Sequence, residues 1–480
     1  MFFTPPGIAA RLVTELTEEG VQFGRDRFID PACGGAAFLA LVADRVRAKL
    51  VALNWQPRAI LRHAETHISG IDLDPTLCAL SRHFLRMVFR PEIRASGYRP
   101  KWDVICADSL DYHAKRRGQY DVVISNPPFR KLTSNETLEY RARYGEVIYG
   151  QPNLYVLFIS LSVRLAKKNA IIGLVTPTSF LSGQYFSNVR TYLLKSTHLR
   201  RIGIVQERER VYLDVQQETA LTVLRAEAPR QPHRAPTPTV SVVERNGEYV
   251  RIGKCPLPNS GTSWPIARDA QDLELLRHAA PLPCRLEHYG YRPVVGSYVW
   301  NRDRRPAFMT WRDVPRQHRK TAVPLLWATD VGHNGVLRFQ PDEAVFNQHR
   351  YVDLGSEQAS IRRRHGILLQ RVTSVDQLKR LIGVVIPREF IVEHGGYVGE
   401  NHTITLEQVE DRGFGPADML SLIAAPALER YFRCISGSSN VSIFELQQLP
   451  LPSPDTLRSM MRAKMTIAEA TALLYGGEGQ

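Results

Sequence analysis

Between residues 27 and 225 the chain alternates short β-like runs with longer stretches whose apolar residues recur at helical spacing. That pattern yields a parallel sheet with helices on both faces. The strand candidates are RFID (27–30), HISGIDL (67–73), WDVICAD (102–108), YDVVIS (120–125), AIIGLVT (170–176), RRIGIVQ (200–206) and ETALTVLR (218–225). Between them, GAAFLALVADRVRAKL, PTLCALSRHFLRMVF and NLYVLFISLSVRLAKK put apolar residues on one helical face and basic residues on the other. Seven strands with covering helices predict one α/β domain over residues 1–225.

The pattern then breaks. AEAPRQPHRAPTPT (226–239) holds four prolines and no large aliphatic residue, so it reads as a semi-rigid linker and places a domain boundary. Residues 240–480 follow with short, irregularly spaced strand candidates (TVSVVER, EYVRIG, KTAVPLLWAT, HGILLQRVT) and a helical stretch around DMLSLIAAPALERYFRCI. This half reads as a mixed α+β domain.

Composition narrows the class. At 480 residues, with 44% hydrophobic and 23% charged side chains, the chain is long enough for two or three cores and is no small stapled scaffold. The formal charge of +14 points to an anionic partner, most often nucleic acid. Six scattered cysteines form no CxxC pair and no Cys/His zinc spacing, which fits a reducing cytoplasm and predicts no metal. No apolar run approaches a membrane span, and MFFTPPGIAARLV does not read as a signal peptide.

Four strand ends carry the chemistry. In FIDPACGGAAFL, Asp30 closes a strand, and Gly34 and Gly35 sit in the turn that opens a helix; small residues there admit a ligand to backbone N–H groups, and a carboxylate at that edge accepts from ammonium or hydroxyl groups. Asp72 closes the second strand in GIDLDP, where it can hold both hydroxyls of a ribose, and Asp108 closes the third in ICADSLD. Each aspartate alone could be only a helix N-cap. Together they describe a nucleoside lying across the carboxyl edge of the sheet. SNPPF (125–129) then follows the strand YDVVI, and four specified residues of this kind match by chance in about 0.3% of chains this long. Two prolines hold an extended, rigid turn, so the Asn126 side-chain oxygen and the Pro127 carbonyl form paired acceptors for a planar –NH₂, and Phe129 can stack on the ring that bears it.

The ordered set TPP, DPACGGAAFL, GIDLDP, ADSL, SNPPF, NLYVLFI and LVTPTSFL resembles the gamma-class, TaqI-like, S-adenosylmethionine-dependent adenine-N6 DNA methyltransferases of restriction–modification type systems. The resemblance runs over about residues 1–225 and implies a Rossmann-like class I methyltransferase sheet, with the second half in the position of a DNA target recognition domain. It further implies that Thr4 and Pro5 lie beside the methionine carboxylate of the cofactor, and that Asp30, Cys33 and Gly34 hold its amino-acid end. Asp72 would bind its ribose, Leu73 would flank its adenine, and Asp108 would accept from the adenine amino group. Asn126, Pro127 and Phe129 would take the target base, with Tyr212 stacking on its other face. One departure stands out: where the family reads DPACGSG, this chain has Gly35 and Ala36.

The implied activity is flipping of an adenine out of double-stranded DNA, held between the two lobes, and transfer of a methyl group to its 6-amino nitrogen. A cognate restriction endonuclease is a possible partner. Rival readings are methylation of an RNA base or a protein glutamine, and a non-catalytic DNA-binding subunit that keeps the cofactor fold. In the second half, Arg302, Arg304 and Arg305, and Arg362, Arg363 and Arg364, are candidate phosphate contacts. Pro341, Asp342 and Glu343 lack the downstream Glu-x-Lys partner of a nuclease motif, and His365, Asn401 and His402 are assigned no chemistry.

Overall fold

The computed structural model describes the chain apart from residues 1–3, 113–115, 207–217, 228–234, 245, 333–334, 343–347, 356, 374–376, 378, 436–439 and 478–480. The expected strands form as β1 (Phe28–Asp30), β2 (Ile68–Asp72), β3 (Asp103–Cys106), β4 (Tyr120–Ser125), β5 (Ala166–Pro177), β6 (His198–Gln206) and β7 (Thr219–Arg225). They are joined by β8 (Thr239–Glu244) and β9 (Tyr249–Lys254) in one nine-stranded sheet of order β3-β2-β1-β4-β5-β7-β6-β8-β9. Strands β1 to β5 are parallel neighbours and β7 runs antiparallel between β5 and β6. This is an α/β, Rossmann-like sheet of the kind the resemblance implies.

The order reverses beside β1, which pairs with β2 on one side and β4 on the other. Right-handed crossovers therefore put the helices of the two halves on opposite faces and open a crevice at the carboxyl ends of β1 and β4. Strands this deep are apolar along their whole length: Phe28, Ile29, Val122, Val123 and Ile124 are fully buried. Close packing needs glycine at two points. A Cβ on Gly70 of β2 would lie 2.6 Å from Leu39 and 3.1 Å from the Cys33 sulfur, and one on Gly173 of β5 would lie 2.9 Å from Leu16. Helices Ala37–Ala52 and Pro6–Glu18 sit against the sheet at these points.

The domain boundary differs from the one the prolines suggested. Two compact units divide at Leu273/Glu274, not within 226–239. TVSVVER and EYVRIG, assigned by sequence to the second domain, are β8 and β9 of the first. β8 runs parallel to β6 from Arg201↔Thr239 to Gln206↔Glu244 and buries Val240 and Val243 completely. A proline-rich segment marks a polar connection, and a connection that returns the chain to the same sheet needs that composition as much as one that leaves it.

The second unit is mixed α+β. β10 (Tyr291–Val295), β11 (Ala307–Phe308), β12 (Ala322–Leu326), β13 (Tyr351–Asp353), β14 (Gly366–Gln370), β15 (Gly383–Ile386), β16 (Val398–Gly399) and β17 (Thr403–Gln408) make two four-stranded sheets, of orders β10-β17-β14-β15 and β11-β13-β12-β16. Helices Pro416–Ile423, Pro426–Ile435, Pro454–Arg462 and Ile467–Leu474 follow. Its apolar residues gather in several small clusters, one of them around Leu325, Val352 and Val398. Asp330 and Arg350, both buried, form an ion pair at 2.8 Å.

Candidate functional site

A cavity of about 490 Å³ opens where the sheet order reverses, and residues from the ends of β1 to β4 line it: Gly34, Asp72, Leu73, Asp108, Asn126, Pro127 and Phe129. Local chemistry sets each one. Gly34 adopts φ +49°, a left-handed conformation that glycine takes without cost. Its N–H donates to one Asp72 oxygen at 2.9 Å, while the Asp74 N–H donates to the other at 2.9 Å. The capping role falls to Asp74, which accepts from the Thr76 and Leu77 amides and starts the helix Pro75–Val88. Asp72 is thereby left half-buried on the cavity wall. Asp108 does act as a cap, taking the Leu110 N–H on one oxygen at 2.9 Å. Leu73, beside them, is 71% exposed.

Behind this wall lie residues that the resemblance put in contact with the cofactor. Asp30 is 1% exposed, accepts the Ala32 N–H at 2.9 Å and does not line the cavity. Burial pushes its carboxyl up to about 7, against the lowering effect of the Ala32 amide, and the Asp72 charge adds to the rise. Cys33 is likewise buried, its thiol pushed upward by burial. Ala36, at the departure from the family pattern, sits at φ +65° and opens the helix Ala37–Ala52 without a side-chain cap.

On the opposite wall, Pro127 and Pro128 hold the turn after β4. Phe129 meets Tyr155 edge-on, with ring centres 6.1 Å apart. Asn126 donates from Nδ2 to Thr4 Oγ1 at 2.9 Å, and its Oδ1 is buried with no hydrogen-bond partner. Thr4, 8% exposed, and Pro5 precede the helix Pro6–Glu18 and are not on the wall themselves. Sequence reasoning missed Tyr140 and Phe158, which also line the cavity. Burial raises the Tyr140 phenol, and the nearby Asp108 charge adds to the rise. Tyr212, named as the second stacking residue, lies outside the described residues.

In the second unit the two arginine triplets split. Arg302 and Arg304 are exposed, but Arg305 pairs with Asp303 at 2.5 Å and with Glu357 at 3.7 Å. Arg362 pairs with Glu407 at 3.2 Å, Arg363 donates to Gln358, and Arg364 donates to the Val409 carbonyl at 3.0 Å. Arg363 shares the rim of a second cavity, of about 750 Å³, with Trp311, Arg319 and Lys320. Those three come from WRDVPRQHRK (311–320), whose four basic residues in ten were a signal the triplets obscured.

The chain is similar to known proteins over most of its length. Residues 67–212 match the model of the Eco57I restriction-modification methylase family. The chain is 22% identical over 478 residues to the type II methyltransferase M.BsuBI of Bacillus subtilis, covering 96% of this chain and 88% of that protein. It is 21% identical to M.PstI of Providencia stuartii, over 71% of this chain and 67% of that one. Among solved structures, the type IIL restriction–modification enzyme MmeI in complex with DNA superposes with a TM-score of 0.58 at 12% identity, covering 99% of this chain and 73% of MmeI. The type ISP enzyme LlaGI, a nuclease-deletion mutant with a DNA substrate mimic, superposes at 0.55 with 11% identity, over 94% of this chain and about half (53%) of that one. No helix among the described residues is long and apolar enough to cross a membrane. The chain is thus similar over most of its length to the type II methyltransferases M.BsuBI and M.PstI, and over residues 67–212 to the Eco57I restriction-modification methylase family.

Proposed function

We propose that the protein is a site-specific DNA adenine methyltransferase that uses S-adenosylmethionine. The observation that carries the reading is the Asn126 Oδ1, a buried acceptor without a donor, in a residue that lines the cavity together with Pro127 and Phe129. Leaving such a group unpaired costs about 1–3 kcal/mol, so the site calls for an incoming N–H. A planar amino group on a ring satisfies the oxygen and offers Phe129 a face.

The other wall fits the cofactor. An exposed leucine flanked by two carboxylates, Asp72 and Asp108, suits a nucleoside: the ring against Leu73, ribose hydroxyls to Asp72 and an exocyclic amino group to the open oxygen of Asp108. Asp30, behind the wall without a cation among the described residues, would gain one from the cofactor's ammonium group. S-adenosylmethionine supplies a methyl group on a positive sulfonium, already activated for transfer. The chain's own part is alignment. Asn126 and Pro127 accept from the target amino nitrogen, whose lone pair is otherwise delocalised into the ring, and favour a tetrahedral nitrogen turned toward the methyl donor. Phe129 holds the ring plane. An adenine inside a duplex cannot enter the cavity, so the target is flipped out of the stack.

Double-stranded DNA is the proposed partner, with Arg302, Arg304, Arg363 and Arg364 as phosphate contacts, and a restriction enzyme of the same target site is a second. The structures of MmeI with DNA and of LlaGI with a DNA substrate mimic support this partner. The test is methyl-labelled S-adenosylmethionine offered with duplex DNA, RNA and protein acceptors, followed by nucleoside analysis. N6-methyladenine in DNA is the expected product. Label in RNA or in glutamine would move the activity to another amino group, and cofactor binding with no transfer would make the chain a non-catalytic subunit.

A further inference from the structure

We propose that Cys78 and Cys106 are an oxidisable thiol pair behind Asp72 and Leu73, which a peroxide converts to a disulfide and which thereby weakens cofactor binding. The consequence for the cofactor rests on the S-adenosylmethionine reading; the thiol pair does not.

Sheet register and one helix bring the two sulfurs together. Cys106 is the register partner of Asp72 in the parallel pair of β2 and β3, so their side chains leave the sheet on the same face. The helix Pro75–Val88 packs on both strands and brings Cys78 to their carboxyl ends. The Cys78 sulfur lies 3.5 Å from the carbonyl oxygen of Asp72 and 3.5 Å from that of Ile105, whose peptide leads into Cys106. The Cys106 thiol donates to the Leu73 carbonyl at 3.5 Å. Two thiols thus hold the main chain of Asp72 and Leu73, both of which line the cavity, while neither cysteine lines it.

Accessibility divides the chemistry between them. Cys106 is the exposed one of the six cysteines, and Cys78 is fully buried. Burial, with Cys106 adding to it, pushes the Cys78 thiol up to about 11, so the first reaction falls to Cys106. Its sulfur takes one oxygen of the peroxide as the O–O bond breaks, becoming a sulfenic acid, and the other oxygen leaves as water. The Cys78 sulfur then attacks that of Cys106: the S–S bond forms, the S–O bond breaks, and the Cys78 proton leaves with the oxygen as a second water. Two thiols have lost two electrons and two protons, and one peroxide has become two waters. A disulfide has no S–H, so the Asp72 and Leu73 carbonyls lose their thiol contacts in the same step. Leu73, 71% exposed, and Asp72 are the proposed ring and ribose contacts, and their main chain loosens with them.

The full chain is treated with hydrogen peroxide, its remaining thiols are alkylated in denaturant, and tryptic fragments are weighed. Fragments 63–82 and 102–115, which carry Cys78 and Cys106, are expected joined and two hydrogens lighter than their sum, and separate again after dithiothreitol. Oxidation of Cys106 alone overturns the pair, and so does a link from 63–82 to fragment 28–45, which carries Cys33, the other cysteine whose charge acts on Cys78. Calorimetry with S-adenosylmethionine should find affinity about three- to tenfold weaker after peroxide, as for loss of one hydrogen-bond contact, and restored by dithiothreitol. Cys106→Ser replaces an exposed side chain; it should bind as the reduced parent does and be unaffected by peroxide. An equal loss in Cys106→Ser, or a joined pair with unchanged affinity, overturns the effect on the cofactor. A reduced chain that does not bind S-adenosylmethionine overturns the cofactor reading instead, and the joined fragments still decide the thiol pair.

Discussion

Asp30 in the first unit and Asp330 in the second are both withdrawn from water, at 1% and 3% exposure, yet only Asp330 has a cation beside it. Asp330 receives two N–H groups of Arg350 and the Trp327 amide. Burial raises its carboxyl and Arg350 opposes the rise. Asp30 has the Ala32 amide and no guanidinium or ammonium group among the described residues, and burial lifts it to about 7. A buried pair completed within the chain belongs to the fold. In the proposed reading Asp30, a buried carboxyl without a cation among the described residues, would meet a charge that arrives with the cofactor.

The largest expected effect falls on the completed pair. Arg350→Met should cost about 3–5 kcal/mol of stability, because it strands a buried charge; denaturant titration would show it, and a loss below about 1 kcal/mol would break the contrast. Asp30→Asn should do the opposite. A carboxyl raised from the unfolded value of 3.8 to about 7 favours the folded state at low pH, and that advantage is lost as pH rises through about 7. The amide should therefore gain up to roughly 4 kcal/mol at pH 8 and nothing near pH 4, read from melting temperatures across that range. The same variant should bind S-adenosylmethionine more weakly, and a gain in stability without a loss of affinity would separate Asp30 from the cofactor.

Asn126→Ala tests the acceptor that the first unit leaves open. Turnover should fall by about 10²–10³-fold, the scale for removing one group aimed at the transition state, while calorimetry finds cofactor affinity nearly unchanged. Asp72→Ala should weaken cofactor binding by about 1.5–3 kcal/mol. Because Asp72 also receives the Gly34 and Asp74 amides, a drop in melting temperature with unaltered affinity would assign it to the turn instead. The smallest effect is expected at Ala36. Glycine relieves the strain of φ +65°, worth about 1 kcal/mol, and gives up a buried methyl worth about 0.8 kcal/mol, so Ala36→Gly should leave stability within about 0.5 kcal/mol of the parent.

Much of the first unit was legible because its signals are local. Seven apolar runs became β1 to β7, and Asp72, Asp108 and Asn126 stand at the strand ends where turn chemistry placed them. β8 and β9 were assigned to the wrong unit, since pairing along β6 is settled by burial of Val240 and Val243 and leaves no mark in the intervening prolines. The arginine triplets show the same limit in the second unit: three adjacent cations look alike in sequence, yet Glu407 claims Arg362 and Asp303 claims Arg305.

The sequence by itself determined which residues end the strands and which turn is rigid, because strand alternation, glycine and proline act over a few bonds. Tertiary structure alone decided that Asp30 stands behind the cavity while Asp72 and Asp108 line it, and that Thr4 meets Asn126 across 122 positions. Those relations depend on sheet order and on how closely a helix can approach Gly70 or Gly173, and contacts of that range are fixed by packing, which residue spacing does not encode.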